Sequence, residues 1–192
     1  MNPSPVLSAL RAETADIHHA IEAAAGVEAR LRDPADRPGL VARFLSLHLA
    51  VEAAVSPWRA GFEQAGARLE ARSPLIRRGL RELGAGTATQ PVAVRPLPTF
   101  GEAWGWAYVA EGSMLGGRIM RRRMISDSVP LTGLGFLDPY GEEAGARWRA
   151  FLTAMDSACA LGRAAPDDVV KGGRDAFGLA SQLLNPAPAE FA

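Results

Sequence analysis

The chain has 192 residues, 48% of them hydrophobic, which is enough for a domain with a sizeable core and argues against disorder. Lys plus Arg and Asp plus Glu each number 21, so the net charge is zero and the basic excess of nucleic-acid-binding proteins is missing. No long apolar run or signal-like N-terminus is visible, so no membrane segment is expected. A lone Cys159 argues against disulfides and Cys-x-x-Cys metal sites, and we expect a cytoplasmic protein.

Helical periodicity dominates the chain, and no alternating strand pattern stands out. The sequence therefore predicts a single all-α domain over residues 1–192, with a core from about residue 6 to 184. Proline and glycine mark the breaks between about seven helices, and Thr99 with Glu102 forms a capping-box pattern. The predicted helices cover residues 5–25, 39–55, 57–70, 73–84, 99–124, 141–161 and 166–184.

The first predicted helix has an apolar stripe with three-four spacing, and His18 lies at the edge of that stripe. Arg11 and Glu22 fall close to the direction of His18, whereas His19 should face solvent. A neutral imidazole at the position of His18 can ligate a metal, with Glu22 orienting the ring. A hydrogen-bonded histidine at the core edge is the alternative, which position alone favours. His48, in the apolar second helix, is predicted to be structural.

Three glycines interrupt the fifth predicted helix, at Gly112, Gly116 and Gly117. Each interior glycine costs a helix about 1 kcal/mol relative to alanine, so three within six residues need a reason. Gly112 and Gly116 are four residues apart and share a face, where the bare backbone can approach something large and flat. That partner is either another helix or a planar ligand, and the run alone leaves both open.

Several segments together resemble the haem oxygenase family. The stretch from Leu10 to Glu22 is similar to the proximal helix of that family, and the run from Tyr108 to Gly117 is similar to its distal helix. The form of the second run is that of bacterial members, including those paired with bacterial phytochromes. The runs from Phe136 to Gly141 and from Trp148 to Leu152 are similar to the same bacterial group. Order and spacing agree over about residues 6–184.

The resemblance implies an activity and a site. The protein would cleave haem, which is both cofactor and substrate, to biliverdin with release of CO and iron, using O2 and external electrons. The histidine matching His18 is the axial iron ligand of the family. The catalytic residues implied are Gly112, Ser113 and Gly116, and the haem-binding residues implied are Arg11, His18, Glu22, Gly117, Lys171 and Arg174.

The chain departs from the mammalian members of the family at two places. Ser113 stands where they have an aspartate, and a hydroxyl can donate or accept a hydrogen bond but supplies no carboxylate. Bacterial members often have serine there. Arg11 matches one cation that holds the haem propionates, whereas Lys171 and Arg174 lie in the last helix without a clear register. That helix also lacks the expected aromatic-rich end, leaving Phe177 as its main aromatic residue.

The family also implies an electron donor, such as a ferredoxin or a reductase, and the bacterial form points to a bacteriophytochrome pathway. Arg121 to Arg123 are either a solvated helix end that complements the helix dipole or a docking surface for an acidic donor. Two other functions stay open from the residues. One is a haem carrier or sensor that does not cleave the ring, and the other is a haem-free interaction protein on the same fold.

Overall fold

The computed structural model describes residues 4–89 and 91–185, except for the side chains of residues 22–24. Within these residues the chain is helical and contains no β-strand. The α-helices are α1 (Pro5–Ala25), α2 (Val27–Arg32), α3 (Arg37–Val55), α4 (Arg59–Gln64), α5 (Ser73–Glu82), α6 (Phe100–Ser126), α7 (Ala144–Ala160) and α8 (Pro166–Leu184). The seven predicted helices are all present, which confirms the all-α prediction, and α2 is an addition.

Local sequence signals set most of the helix ends. Thr99 Oγ1 accepts a hydrogen bond from the Glu102 backbone N–H at 3.2 Å, as the capping pattern predicts. The third predicted helix was expected to reach residue 70, but α4 ends at Gln64. Gly66 adopts a left-handed φ of 80° there and stops the helix. Gly26, with φ 51°, likewise separates α1 from α2.

α8 lies between α1 and α6 and packs closely on both helices. Its crossing with α6 is lined by glycines, and a Cβ on Gly105 of α6 would overlap the backbone of α8. On the other side, a Cβ on Gly173 of α8 would overlap the Leu10 side chain of α1. α1 and α6 make few contacts with each other within the described residues. α1 and α6 therefore pack on α8 with little direct contact between each other.

α3 is the central helix that its apolar circumference predicts. Leu40, Val41 and Leu45 are fully buried, and α3 packs against α5, α6 and α8. The stretch Arg37–Gln64 has the length and mean hydropathy of a membrane-spanning helix, and no other described stretch does. Its position in the core accounts for that apolar composition.

Two arginines from other helices hold the C-terminal end of α8. Arg30 Nη1 donates to the Leu184 carbonyl at 3.0 Å, and Arg43 Nη1 donates to the Leu183 carbonyl at 3.1 Å. The last carbonyls of a helix have no partners within the helix and attract cations. These contacts fix the position of α8, the helix on which both α1 and α6 pack.

Candidate functional site

The α1 side of the candidate site centres on His18. Its ring meets the ring of Phe177 from α8 edge-on, with the centroids 5.6 Å apart. His18 and Arg11 are both exposed, and Arg11 makes no ion pair with a described residue. His19 is exposed, as expected, with its ring 6.3 Å from that of His18. The side chain of Glu22 lies outside the part of the chain that the structure describes.

The three glycines of the α6 run have three different environments. Among the described residues outside the neighbouring turns of α6, a Cβ on Gly116 would meet no atom within 4 Å, and a Cβ on Gly112 would meet only the Trp148 ring, at 3.3 Å. A Cβ on Gly117 would lie 2.5 Å from the Leu137 carbonyl oxygen. Gly117 therefore packs against the chain itself, whereas the sequence analysis placed it with the haem-binding residues. Gly116 leaves open surface on α6.

The open face of α6 continues on either side of Gly116. Ser113 and Ile119 lie three residues before and after it, and positions three apart are neighbours on a helix surface. All three are exposed, and the Ile119 side chain is 51% accessible, which is high for a large apolar group. This face of α6 combines bare backbone, a hydroxyl and an apolar side chain.

Two grooves run along the exposed side of α8. One, of about 350 Å³, is lined by Lys171 and Arg174 among others. The other, of about 540 Å³, is lined by Arg174, by Trp106 of α6 and by the segment before α6. Both volumes lie in the range of small-molecule sites. Arg174 makes an exposed ion pair with Glu13 of α1 at 3.5 Å, so it bridges two of the helices around the site.

Lys171 has a structural partner that the sequence did not reveal. Its Nζ donates to the buried Glu102 carboxylate at 2.9 Å and to Asp175 at 3.2 Å. Arg95 Nη2 donates to the same two carboxylates, at 2.7 and 2.8 Å. The hydrogen bond to Glu102 raises the pKa of Lys171. Lys171 therefore compensates a buried carboxylate, and its charge is less available to a ligand than that of Arg11.

The charge next to the glycine run belongs to Arg72, directly before α5. Its side chain is only 4% accessible, and its Nη1 donates to the Ala110 carbonyl at 2.7 Å and to Ser113 Oγ at 3.1 Å. The Ser113 hydroxyl donates to the same carbonyl at 2.7 Å. Glu52 of α3 accepts a hydrogen bond from the backbone N–H of Arg72 at 2.8 Å, which fixes the position of Arg72.

Glu111 is the buried counter-charge of Arg72. Its Oε1 lies 3.4 Å from Arg72 Nη2 and accepts a hydrogen bond from the Tyr140 hydroxyl at 3.4 Å. Burial raises the pKa of Glu111, and the charges of Arg72 and Arg147 oppose that rise. The Arg147 guanidinium lies 3.9 Å from the centre of the Tyr140 ring, a cation–π contact. A buried ionic cluster therefore supports α6 where the open face begins.

His48 lies near this cluster in the core. Burial, and then the charge of Arg72, lowers its pKa to about 3. The imidazole is therefore neutral at physiological pH. This setting agrees with the structural role predicted for His48.

The basic end of α6 is partly occupied by contacts within the chain. Arg118 donates to the Gly141 carbonyl, and Arg123 pairs with Glu28 at 3.1 Å. Arg122 is exposed and Arg121 is half-buried. The run therefore serves both as a structural anchor and as a charged surface.

The sequence analysis missed Arg72 and Glu111. Glu111 had a local signal, since it is a lone charge within the apolar glycine run. Arg72 had none, because its partners Ala110 and Ser113 lie 38 and 41 residues further along the chain. Only tertiary packing brings them together.

Comparison with known proteins identifies the family. The family model described as Heme oxygenase matches residues 99–186, the segment that begins at the N-cap of α6. A protein named heme oxygenase from Xanthomonas campestris pv. campestris (strain 8004) is 33% identical over 129 residues, which are 66% of this chain and 74% of that protein. The chain belongs to the haem oxygenase family.

A solved structure shares the fold. The NO- and CO-bound heme oxygenase from Neisseria meningitidis matches with a TM-score of 0.76 and 23% identity, over 91% of this chain and 87% of that one. The expected haem oxygenase-like fold is therefore confirmed. The assignment to the bacteriophytochrome-associated type stays a prediction.

Proposed function

We propose that this protein is a haem-degrading enzyme that opens haem to biliverdin, with release of CO and iron. Membership of the haem oxygenase family supports the reaction class. One observation carries the site. α1 and α6 pack on α8 with few contacts between them, and a Cβ on Gly116 would meet no other part of the described chain within 4 Å, although Gly116 lies in the middle of a long helix. A flat ligand between the two helices accounts for both facts.

The donor set fits haem. His18 offers an imidazole on α1, and Phe177 of α8 supports its ring edge-on. His18 would ligate the iron through one ring nitrogen, and Glu22 would help to orient the ring. Haem, which is cofactor and substrate together, supplies the redox chemistry with O2 and external electrons.

The open face of α6 would cover the opposite side of the ring. Without side chains at Gly112 and Gly116, the helix backbone could lie close to a bound haem and limit the space for other molecules there. Ser113 adds a hydroxyl to this face, and we propose that it orders water there. These three residues are the proposed catalytic group, while Gly117 serves packing against Leu137.

Cations would fix the rotation of the ring and so select the meso carbon that is cut. Arg11 lies two helical turns from His18, about 10 Å along the axis, and pairs with no described residue. It is the first candidate for a propionate contact. Arg174 is the second, since its only ion pair among the described residues is exposed. Lys171 comes last because it neutralises Glu102.

The remaining proposals concern the setting of the enzyme. We propose that residues 6–184 act as one haem-binding domain, in the cytoplasm. An acidic ferredoxin or a reductase would deliver electrons, with the exposed part of the basic end of α6 as a docking surface. The product would serve a bacteriophytochrome pathway.

Addition of haemin to the purified protein, followed by reductant under air, tests the proposed function. We expect a Soret band on binding, then its loss with growth of a biliverdin band. A stable Soret band under turnover would indicate a carrier or sensor, and no binding would indicate a haem-free interaction protein. Spectra over time separate the three outcomes.

The same spectra test the ligand assignment. His18→Ala should bind haem weakly, with an altered Soret band and lower turnover, whereas His19→Ala is the matched control and should change little. A wild-type spectrum and normal turnover in His18→Ala would show that His18 is not the ligand.

A further inference from the structure

The hydrogen-bonding capacity of Ser113 is largely used on the protein side. A serine hydroxyl has one proton to donate and two lone pairs that accept. Ser113 Oγ donates to the Ala110 carbonyl at 2.7 Å and accepts from Arg72 Nη1 at 3.1 Å. One lone pair remains, and Ser113 is exposed on the open face of α6.

We infer that Arg72 is a positioning residue. It restricts Ser113 to accepting a hydrogen bond from a molecule in the cleft, the space between α1 and the open face of α6. Ser113 then orients the O–H of a water without giving up a proton. This inference rests on the proposed function for the identity of the ligand. It assigns a role to Arg72, and it narrows the role of Ser113 from donor or acceptor to acceptor.

The guanidinium can impose this orientation for two reasons. An arginine side chain only donates, so Ser113 Oγ must be the acceptor in their hydrogen bond. The proton of the Ser113 hydroxyl then points to the Ala110 carbonyl. Arg72 is also immobilised, since Glu52 accepts the backbone N–H groups of Arg72 and Ser73 at 2.8 and 2.9 Å. The Arg72 side chain is only 4% accessible, so release of the contacts through Nη1 would leave a further buried donor without water to replace its partner.

The charge of Arg72 complicates a simple deletion. Glu111 lies 3.4 Å from Arg72 Nη2, and removal of the arginine alone would leave that carboxylate buried without a counter-charge. Arg72→Met is therefore combined with Glu111→Gln, which removes both charges and keeps a polar group beside Tyr140. Glu111→Gln alone is the matched control, because it leaves the contact from Arg72 to Ser113 in place.

The measured quantity is the pH midpoint at which the ferric haem-loaded protein passes from its acid to its alkaline visible spectrum. An acceptor at Ser113 favours water over hydroxide in the cleft, because water is the better donor. A Ser113 hydroxyl released from Arg72 can turn and donate to hydroxide. The Arg72→Met/Glu111→Gln protein should therefore have a lower midpoint than the same protein that also carries Ser113→Ala.

Loss of the Arg72 charge moves the pH midpoint whether or not Ser113→Ala is present. The informative quantity is therefore the difference between the midpoints of the double variant with and without Ser113→Ala. We expect that difference to be about 0.4–1 pH unit, the equivalent of one hydrogen bond. Glu111→Gln alone should show the opposite dependence: there Ser113→Ala should lower the midpoint, because the acceptor that favours water is lost. Thermal unfolding of the haem-free proteins checks the fold, and Arg72→Leu with Glu111→Gln, a second replacement without a donor, is used if the first double variant does not fold.

Equal shifts with and without Ser113→Ala, in a wild type that binds haem, would overturn the role of Arg72 and leave the proposed function intact. A wild type that binds no haem would overturn both. A shift that requires Ser113 would support the inference.

Discussion

Helix α6 carries two glycine pairs with the same spacing of four residues, and the fold gives them opposite surroundings. The closed pair, Gly101 and Gly105, lies against α8, where a Cβ on Gly105 would overlap the Val169 carbonyl. The open pair is Gly112 and Gly116. In the part of the chain that the structure describes, a Cβ on Gly112 would contact a single aromatic ring, and a Cβ on Gly116 would contact nothing within 4 Å.

The two pairs show that glycine spacing in a sequence indicates a helix face without side chains. The spacing does not indicate whether another helix or a ligand lies against that face. At the closed pair the partner is the backbone of α8, and packing explains both residues. At the open pair no part of the described chain fills the space beside Gly116. The two explanations considered from sequence, packing and ligand contact, therefore both apply to α6, at different ends of the helix.

The largest expected effect is at the closed pair. Gly105→Ala should destabilise the protein by about 3 kcal/mol or more, because its Cβ meets backbone atoms of α8 that cannot rotate away. Urea unfolding of the haem-free protein measures this, with Gly116→Ala as the matched control. Equal stability of Gly105→Ala and the wild type would mean that the two helices do not cross so closely.

The exposed cation Arg11 on α1 should affect ligand binding and not folding. Arg11→Ala removes a charge-assisted contact of about 1.5–3 kcal/mol, and should weaken haem binding by about one to two orders of magnitude. Looser rotation of the ring should also give mixed biliverdin isomers. Haem titration and chromatography of the products are the measurements, and Arg81→Ala, at an exposed arginine of α5, is the control. Unchanged affinity and isomers would leave Arg11 as surface charge and direct attention to Arg174.

Acid should act on the buried histidine near the ionic cluster beside the open pair. His48 has a pKa of about 3 when folded, against 6.5 for the free side chain. Between these values the unfolded chain binds one more proton, so stability falls as the pH is lowered, by up to about 1.4 kcal/mol per pH unit. His48→Gln should flatten the curve of unfolding free energy against pH in this window, whereas His19→Gln should not. The same pH dependence of unfolding free energy in the wild type and in His48→Gln would contradict this assignment.

The smallest expected effect on stability is at the open pair itself. Gly116→Ala should stabilise the haem-free protein by about 0.5–1 kcal/mol, since alanine favours a helix and its Cβ meets no atom. The same change should lower biliverdin yield, and Gly116→Leu should lower it further. Urea unfolding and product spectra are measured on each variant. A destabilised Gly116→Ala protein would instead indicate that this glycine is needed for packing.

Much of the fold follows from local signals in the sequence. Periodicity located seven helices, the cap at Thr99 set the start of α6, and the apolar circumference of α3 placed it in the core. The short helix α2 escaped notice because six residues show too little periodicity, and the early end of α4 depended on the left-handed Gly66. These are the places where one backbone conformation overrides a pattern.

The sequence by itself determined the fold class and the family, because both are written in helix-length patterns and motifs that lie close together along the chain. The proposed roles of His18, Arg11 and Ser113 came from the same motifs and stay predictions. Only the tertiary structure decided that Gly105 and Gly117 pack, that Gly116 is open, and which groups surround Ser113. The physical reason is distance along the chain. A glycine in a sequence gives no indication of what packs against it. A buried arginine such as Arg72 contacts its partners only when helices far apart in sequence pack together.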